Sequence, residues 1–139
     1  MRAVIDTNIL VSGLLRPDGP PGAVLRQVAL LTLEPVACRE IMAEYRAVLP
    51  RRRLRLRPDD IDDVLSLFEA QALWVEVPAY DGSPPLPDPT DWAFIACALA
   101  AGCPVVTGNA KHFPAQLGVK VMTAREWVGW AAEHSRARS

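Results

Sequence analysis

Ala3-Val4-Ile5-Asp6-Thr7-Asn8 is the stretch on which the reading of this chain turns. Its opening is short, apolar and partly β-branched, which suits a strand buried on both faces in a parallel sheet. The Asp-Thr-Asn that follows offers cap chemistry for a helix running to Leu15. A strand that ends on a carboxylate puts that carboxylate at the carboxyl edge of the sheet, where open α/β folds build their sites.

Outward from there, strands and helices alternate. Residues 16 to 22 hold three prolines and two glycines and read as a loop. A second helix is expected over 22 to 31, a weak strand over 35 to 37 and a third helix over 39 to 49. Pro50 and a basic run, 51 to 57, lead to Pro58-Asp59-Asp60. That is a helix start, and Ile61, Val64, Leu65, Leu67 and Phe68 supply its apolar face to about residue 72. A strand over 73 to 77, a Pro-rich loop over 78 to 89 and a helix over 89 to 101, stopped by Gly102, come next. Strands over 104 to 107 and 120 to 122 and a helix over 124 to 133 complete the order. This pattern implies an α/β fold with a mostly parallel central sheet flanked by helices. We expect one domain, 1–134, followed by a short flexible basic tail, 135–139, and no internal repeat.

Composition agrees with one domain: 139 residues, 50% of them hydrophobic, can bury a sizeable core. A net charge of -1 provides no global field for an anionic polymer, so any nucleic-acid affinity must come from a local basic patch or a bound cation. Cys38, Cys97 and Cys103 lack the spacing of a disulfide framework or a zinc site and read as reduced core residues. Residues 1 to 6 carry no apolar signal region, and the apolar run 93 to 101 is too short for a bilayer. The expectation is a cytoplasmic protein without a membrane partner.

The topology draws several acids to one edge. Asp6 ends the first strand, Asp88 and Asp91 open the helix before the Val105-Val106 strand, and Asn109 follows that strand. Glu44 joins them from the edge of the apolar stripe marked by Ile41, Tyr45 and Val48. Carboxylates gathered this way repel unless a hard cation neutralises them, and an all-oxygen set suits Mg2+ or Mn2+ better than zinc. Such an ion activates water and stabilises charge at a phosphodiester. No sulfur or imidazole is required. Each acid also has a purely local reading: Asp6 as a helix cap, Asp88 as an N-cap before Pro89, Asp91 as its capping-box partner and Glu44 as a surface residue.

Four segments together resemble the PIN-domain family. Val4-Ile5-Asp6-Thr7-Asn8-Ile9-Leu10 resembles its opening strand and acid, and Glu44-Tyr45-Arg46-Ala47-Val48-Leu49 its second acidic motif. Asp88-Pro89-Thr90-Asp91-Trp92-Ala93-Phe94-Ile95-Ala96 resembles the third, and the stretch from Val105 through Thr107-Gly108-Asn109 to Pro114 the fourth. The chain is most similar to small single-domain members of the VapC type, toxins of type II toxin-antitoxin systems.

The resemblance implies a Rossmann-like three-layer fold and a Mg2+- or Mn2+-dependent endoribonuclease. Asp6, Glu44 and Asp91 would be its catalytic, metal-binding carboxylates, with Asn8 and Thr107 supporting them. It also implies a homodimer and a small antitoxin partner. Asn109 stands where other members carry Asp; it and Asp88 are further candidate metal ligands.

Arg46, Arg51, Arg52 and Arg53, within a cluster that continues to Arg55 and Arg57, and Lys111 are the candidate RNA-phosphate contacts. The alternative for the arginines is a solvated helix-hairpin tip. His112 beside the site is a candidate acid or base that a metal-based mechanism does not need. Trp74, Trp127 and Trp130 read as core or interface residues, and Trp92 as the one with a place for a base contact. The competing function is a PIN-fold RNA- or partner-binding protein with weak or no nuclease activity. An aspartyl-phosphate enzyme would want a second Asp close after Asp6, which Thr7-Asn8-Ile9 does not supply, and neither GxxxxGK[ST] nor GxGxxG is present.

Overall fold

The computed structural model describes residues 1–83, 85–114 and 117–138. The opening run forms strand β1, Arg2–Ile5, whose last three residues are fully buried. It is followed by α1 (Thr7–Leu15), α2 (Pro20–Ala29), β2 (Glu34–Ala37), α3 (Arg39–Val48) and α4 (Pro58–Gln71). Next come β3 (Leu73–Trp74), α5 (Trp92–Ala101), β4 (Val105–Val106), β5 (Val121–Met122) and α6 (Ala124–Arg138). The strands make one five-stranded sheet in the order β3-β2-β1-β4-β5, with every pairing parallel. From β1 the chain therefore builds outward through β2 and β3, then returns to lay β4 and β5 on the other side. The switch falls between β1 and β4.

The α/β reading and its parallel sheet are what the chain adopts, with differences at element ends that have local causes. Helix α2 starts at Pro20 rather than 22, because prolines in a first turn give up only N–H groups that have no intrahelical acceptor. Strand β3 stops at Trp74 instead of continuing to 77. Its last ladder bond runs from Val75 N–H to the Ala37 carbonyl, and β2 ends there. The helix expected from residue 89 opens as a separate 3-10 turn, Pro89–Asp91, and two more such turns, Arg52–Leu54 and Ala110–His112, were not foreseen. Helix α6 continues to Arg138, past the expected end at 133. Its start is a capping box, with Glu126 N–H donating to Thr123 Oγ1 and Thr123 N–H to Glu126 Oε1, both at 3.0 Å. Gly102, at φ 62°, ends α5 in the left-handed conformation that favours glycine.

Helix α5 lies on β1, β2 and β4, and its residues 93 to 98 are all buried. Tyr45 of α3 packs edge-on against Phe68 of α4 at 5.7 Å between ring centres, and also meets Phe94 of α5. Its hydroxyl donates to the Ile5 carbonyl, so the polar end of a buried ring is spent on the backbone directly before Asp6. Trp127 is fully buried, while Trp74 on the edge strand is exposed. Cys38, Cys97 and Cys103 are free thiols. Among the described residues no helix is long and apolar enough to cross a membrane.

Candidate active site

Among the described residues, the buried polar or charged ones are Asp6, Thr7, Asp91 and Thr107. All belong to the carboxyl edge of the sheet. Buried charge is rare because desolvation is costly, so its confinement to one edge singles that edge out.

Asp6 sits at the switch point. Its N–H donates to the Val106 carbonyl at 2.9 Å, which ties the end of β1 to the end of β4. One carboxylate oxygen, Oδ1, accepts the Thr7 N–H at 2.8 Å and so caps α1. The other, Oδ2, accepts the Thr107 hydroxyl at 2.7 Å and the Asn8 amide at 3.2 Å. Cap and site are thus divided between two oxygens of one side chain. Thr107 Oγ1 in turn accepts the Asn109 N–H at 3.0 Å, and Asn8 Oδ1 accepts the Gly108 N–H at 3.0 Å, so both supporting residues brace the β4 loop against β1. Burial pushes the Asp6 carboxyl above its ordinary range, against the hydrogen bonds from Thr107, Thr7 and Asn8 and the nearby His112, all of which lower it.

Asp91 closes the 3-10 turn before α5, whose N-terminus lies at the same edge because α5 descends to the start of β4. Its side chain is 10% exposed. Burial raises its carboxyl to about 6, with further upward pushes from Asp6, Asp88 and Glu44 and a downward one from His112. Asp91 Oδ2 lies 3.2 Å from His112 Nδ1, yet it is buried without a hydrogen-bond partner. The contact is an ion pair when the imidazole is protonated, without a hydrogen bond between the two groups. Thr7 Oγ1 is buried and unpartnered as well.

The remaining candidates divide. Glu44 is half-buried and lines a cleft of ≈ 540 Å³ together with Thr90, Trp92 and Tyr80; its charge is felt at Asp91. Asp88 caps the 3-10 turn, accepting Thr90 N–H at 3.0 Å and the Thr90 hydroxyl at 2.8 Å, which holds its carboxyl below the usual range. Asn109 turns its amide to His112, Nδ2 to Nε2 3.0 Å, rather than to a carboxylate. Lys111 is exposed beside His112. Arg46 pairs with Glu69, and Arg51, Arg52 and Arg53 are exposed in the turn between α3 and α4. Trp92 donates its indole N–H to the Pro78 carbonyl and packs against Tyr80 at 5.6 Å, which gives it a structural task in that cleft.

The chemistry of this donor set fits a hard divalent ion. Two buried carboxyls are held above their ordinary range, and one oxygen is orphaned; a cation relieves both conditions. Among the described residues, no group of three or more His, Cys, Asp or Glu side chains converges on one metal position. The fit is therefore to an ion gripped by one or two carboxylates and otherwise hydrated, which is how magnesium is commonly held. Sequence reasoning left out Thr7, and it gave His112 no structural role; the Ala110–His112 turn that brings the ring to Asp91 has no hydrophobic period by which it could be read.

A family model described as the PIN domain matches residues 2–111. The solved structure described as FitAB bound to an IR36 DNA fragment contains a similar chain, with TM-score 0.58 and 21% identity over 89% of this chain and 95% of that one. At that identity the likeness is one of fold. No curated protein matches the chain.

Proposed function

The chain belongs to the PIN-domain family, and from that premise we propose that it is a divalent-metal-dependent endoribonuclease whose ion is held by Asp6 and Asp91 with Glu44 completing the acidic set. The observation that carries this reading is the pair of buried carboxyls at the β1–β4 switch, each pushed upward by burial and the second also by the charge of the first. A bound Mg2+ or Mn2+ neutralises the acids, orients a phosphate and lowers the pKa of water. The chain's own residues supply the rest. Thr107 and Asn8 hold the Asp6 carboxylate by hydrogen bonds, Tyr45 braces the strand end beneath it, and the exposed Lys111 is assigned to a phosphate. Arg46, Arg51, Arg52 and Arg53 extend the grip along the RNA. Asp88 is occupied as a cap and Asn109 by His112, so neither is assigned to the ion.

In the cell we assign this activity to the toxin of a toxin-antitoxin pair, as the VapC-type resemblance implies, with a small antitoxin and a second copy of the chain as partners. The second reading, an RNA- or partner-binding protein of the same fold, is favoured by one observation, the absence of three converging donors among the described residues. One experiment separates the two: purified protein is incubated with structured and single-stranded RNA in Mg2+, Mn2+ or chelator, beside Asp6→Asn. Cleavage that needs the ion and Asp6 supports the nuclease; RNA binding without cleavage in either ion supports the binding protein. Cleavage persisting in chelator and in Asp6→Asn sinks the metal-site reading.

A further inference from the structure

We propose that His112 is a nitrogen ligand of the divalent ion, aimed by Asn109, and that this makes the site select Mn2+ over Mg2+; the inference rests on the metal-site reading above. It starts from a contact that is close but makes no hydrogen bond. His112 Nδ1 and Asp91 Oδ2 are 3.2 Å apart, and the oxygen is nevertheless buried without a hydrogen-bond partner. Donor atoms on adjacent vertices of an octahedron with bonds of about 2.1 Å stand about 3.0 Å apart. The pair has the separation of two donors to one ion.

The second observation bears on which nitrogen is available. His112 Nε2 faces the Asn109 amide at 3.0 Å. If the amide nitrogen donates to Nε2, the ring proton is on Nδ1 and meets an acceptor it does not bond. A half-turn of the amide puts its oxygen there instead. Nε2–H then donates to Asn109 Oδ1, and the Nδ1 lone pair is free beside Asp91. Metal-bound imidazoles are held in this way, with the other ring N–H given to an oxygen. The backbone supports the arrangement. His112 N–H bonds the Asn109 carbonyl at 3.2 Å, and Asn109 N–H bonds Thr107 Oγ1, which itself donates to Asp6. Asp6, Thr107, Asn109 and His112 are thus one connected chain. Manganese accepts an imidazole nitrogen beside its oxygen ligands more readily than magnesium, which keeps to oxygen and dehydrates reluctantly.

The test uses Mn2+ alone with the full chain. Titration calorimetry measures Mn2+ and Mg2+ affinities, and pulsed EPR of bound Mn2+ reads coupling to a coordinated nitrogen. Wild type is expected to show the nitrogen coupling, and His112→Ala to lose it together with about tenfold or more in Mn2+ affinity while Mg2+ affinity changes little. The His112 side chain is 39% exposed, so its removal leaves the core intact. Asn109→Ala weakens Mn2+ binding, and Asn109→Asp, which still accepts the ring N–H, restores it. The other histidine, His134, stacks on Trp130 in α6 and serves as the control. Bound Mn2+ without nitrogen coupling, or coupling that survives His112→Ala, overturns the ligand role and leaves an oxygen-only metal site standing. Failure of wild type to bind either ion overturns this inference and the metal-site reading together.

Discussion

Asp6 and Asp88 do the same local work in two regions of the molecule, and only Asp6 is buried. Each sits at the entrance of a helical turn and accepts a main-chain N–H, Asp6 from Thr7 and Asp88 from Thr90. Asp88 spends its Oδ1 on the backbone and hydroxyl of Thr90 and is held below the usual carboxylate range. Asp6 turns a second oxygen into the β1–β4 junction, is buried, and is pushed above that range. Cap chemistry therefore does not distinguish a structural acid from a candidate ligand. Burial does, together with a neighbour that arrives from a distant strand.

The largest effect expected to test this contrast is on catalysis. Asp6→Asn and Asp91→Asn should each lower ion-dependent RNA cleavage by a thousandfold or more, about 4 kcal/mol in the barrier. Asp88→Asn should stay within a few fold of wild type in the same assay. Equal losses at Asp6 and Asp88 would abolish the distinction.

A smaller effect lies in the pH dependence of stability without divalent ion. Asp91 is raised from 3.8 to about 6, so the native state holds a proton that the unfolded chain has already released. Its contribution is complete below about pH 4 and is lost as the pH rises through about 6, by on the order of 2–3 kcal/mol for this nearly buried group. Asp6, raised for the same reason, adds to the slope with the same sign. Denaturant midpoints between pH 4 and 7 should fall, and Asp91→Asn or added Mn2+ should flatten the curve. Asp88, shifted the other way, contributes stability that is complete above about pH 4 and is lost only as the pH falls below that.

Thr107→Val isolates the distant neighbour. It removes the hydroxyl from a buried carboxylate and from the Asn109 N–H, and should destabilise the apo protein by about 2 kcal/mol in urea melts. The smallest change belongs to the exposed cap: Asp88→Ala should cost about 1 kcal/mol and leave ion affinity unaltered. A larger stability loss at Asp88 than at Thr107 would reverse the comparison.

Much of the fold was legible because its signals are local. The apolar run before Asp6, the proline opening α4 and the glycine after α5 each act on their own few residues. Among the boundaries that moved, the end of β3 was set by a partner strand, since β2 ends at Ala37, whereas the start of α2 was set by its own prolines. The site was legible as a set of acids and illegible as a geometry. Asn109 could be placed after β4 from its position in the chain, but not turned toward His112, because that depends on a 3-10 turn too short for a periodic signal.

The sequence by itself determined an α/β chain with a carboxylate at the end of its first strand, because burial period, cap chemistry and breaker residues are properties of neighbours along the chain. Only the tertiary structure decided which acids are buried and what they meet. Placing β4 beside β1 brings Thr107 to Asp6 across 101 residues, and laying α5 under that edge brings Asp91 to His112. Those contacts come from strand order, which is set by how whole layers pack, and desolvation at their junction makes two ordinary aspartates into the candidate ion site.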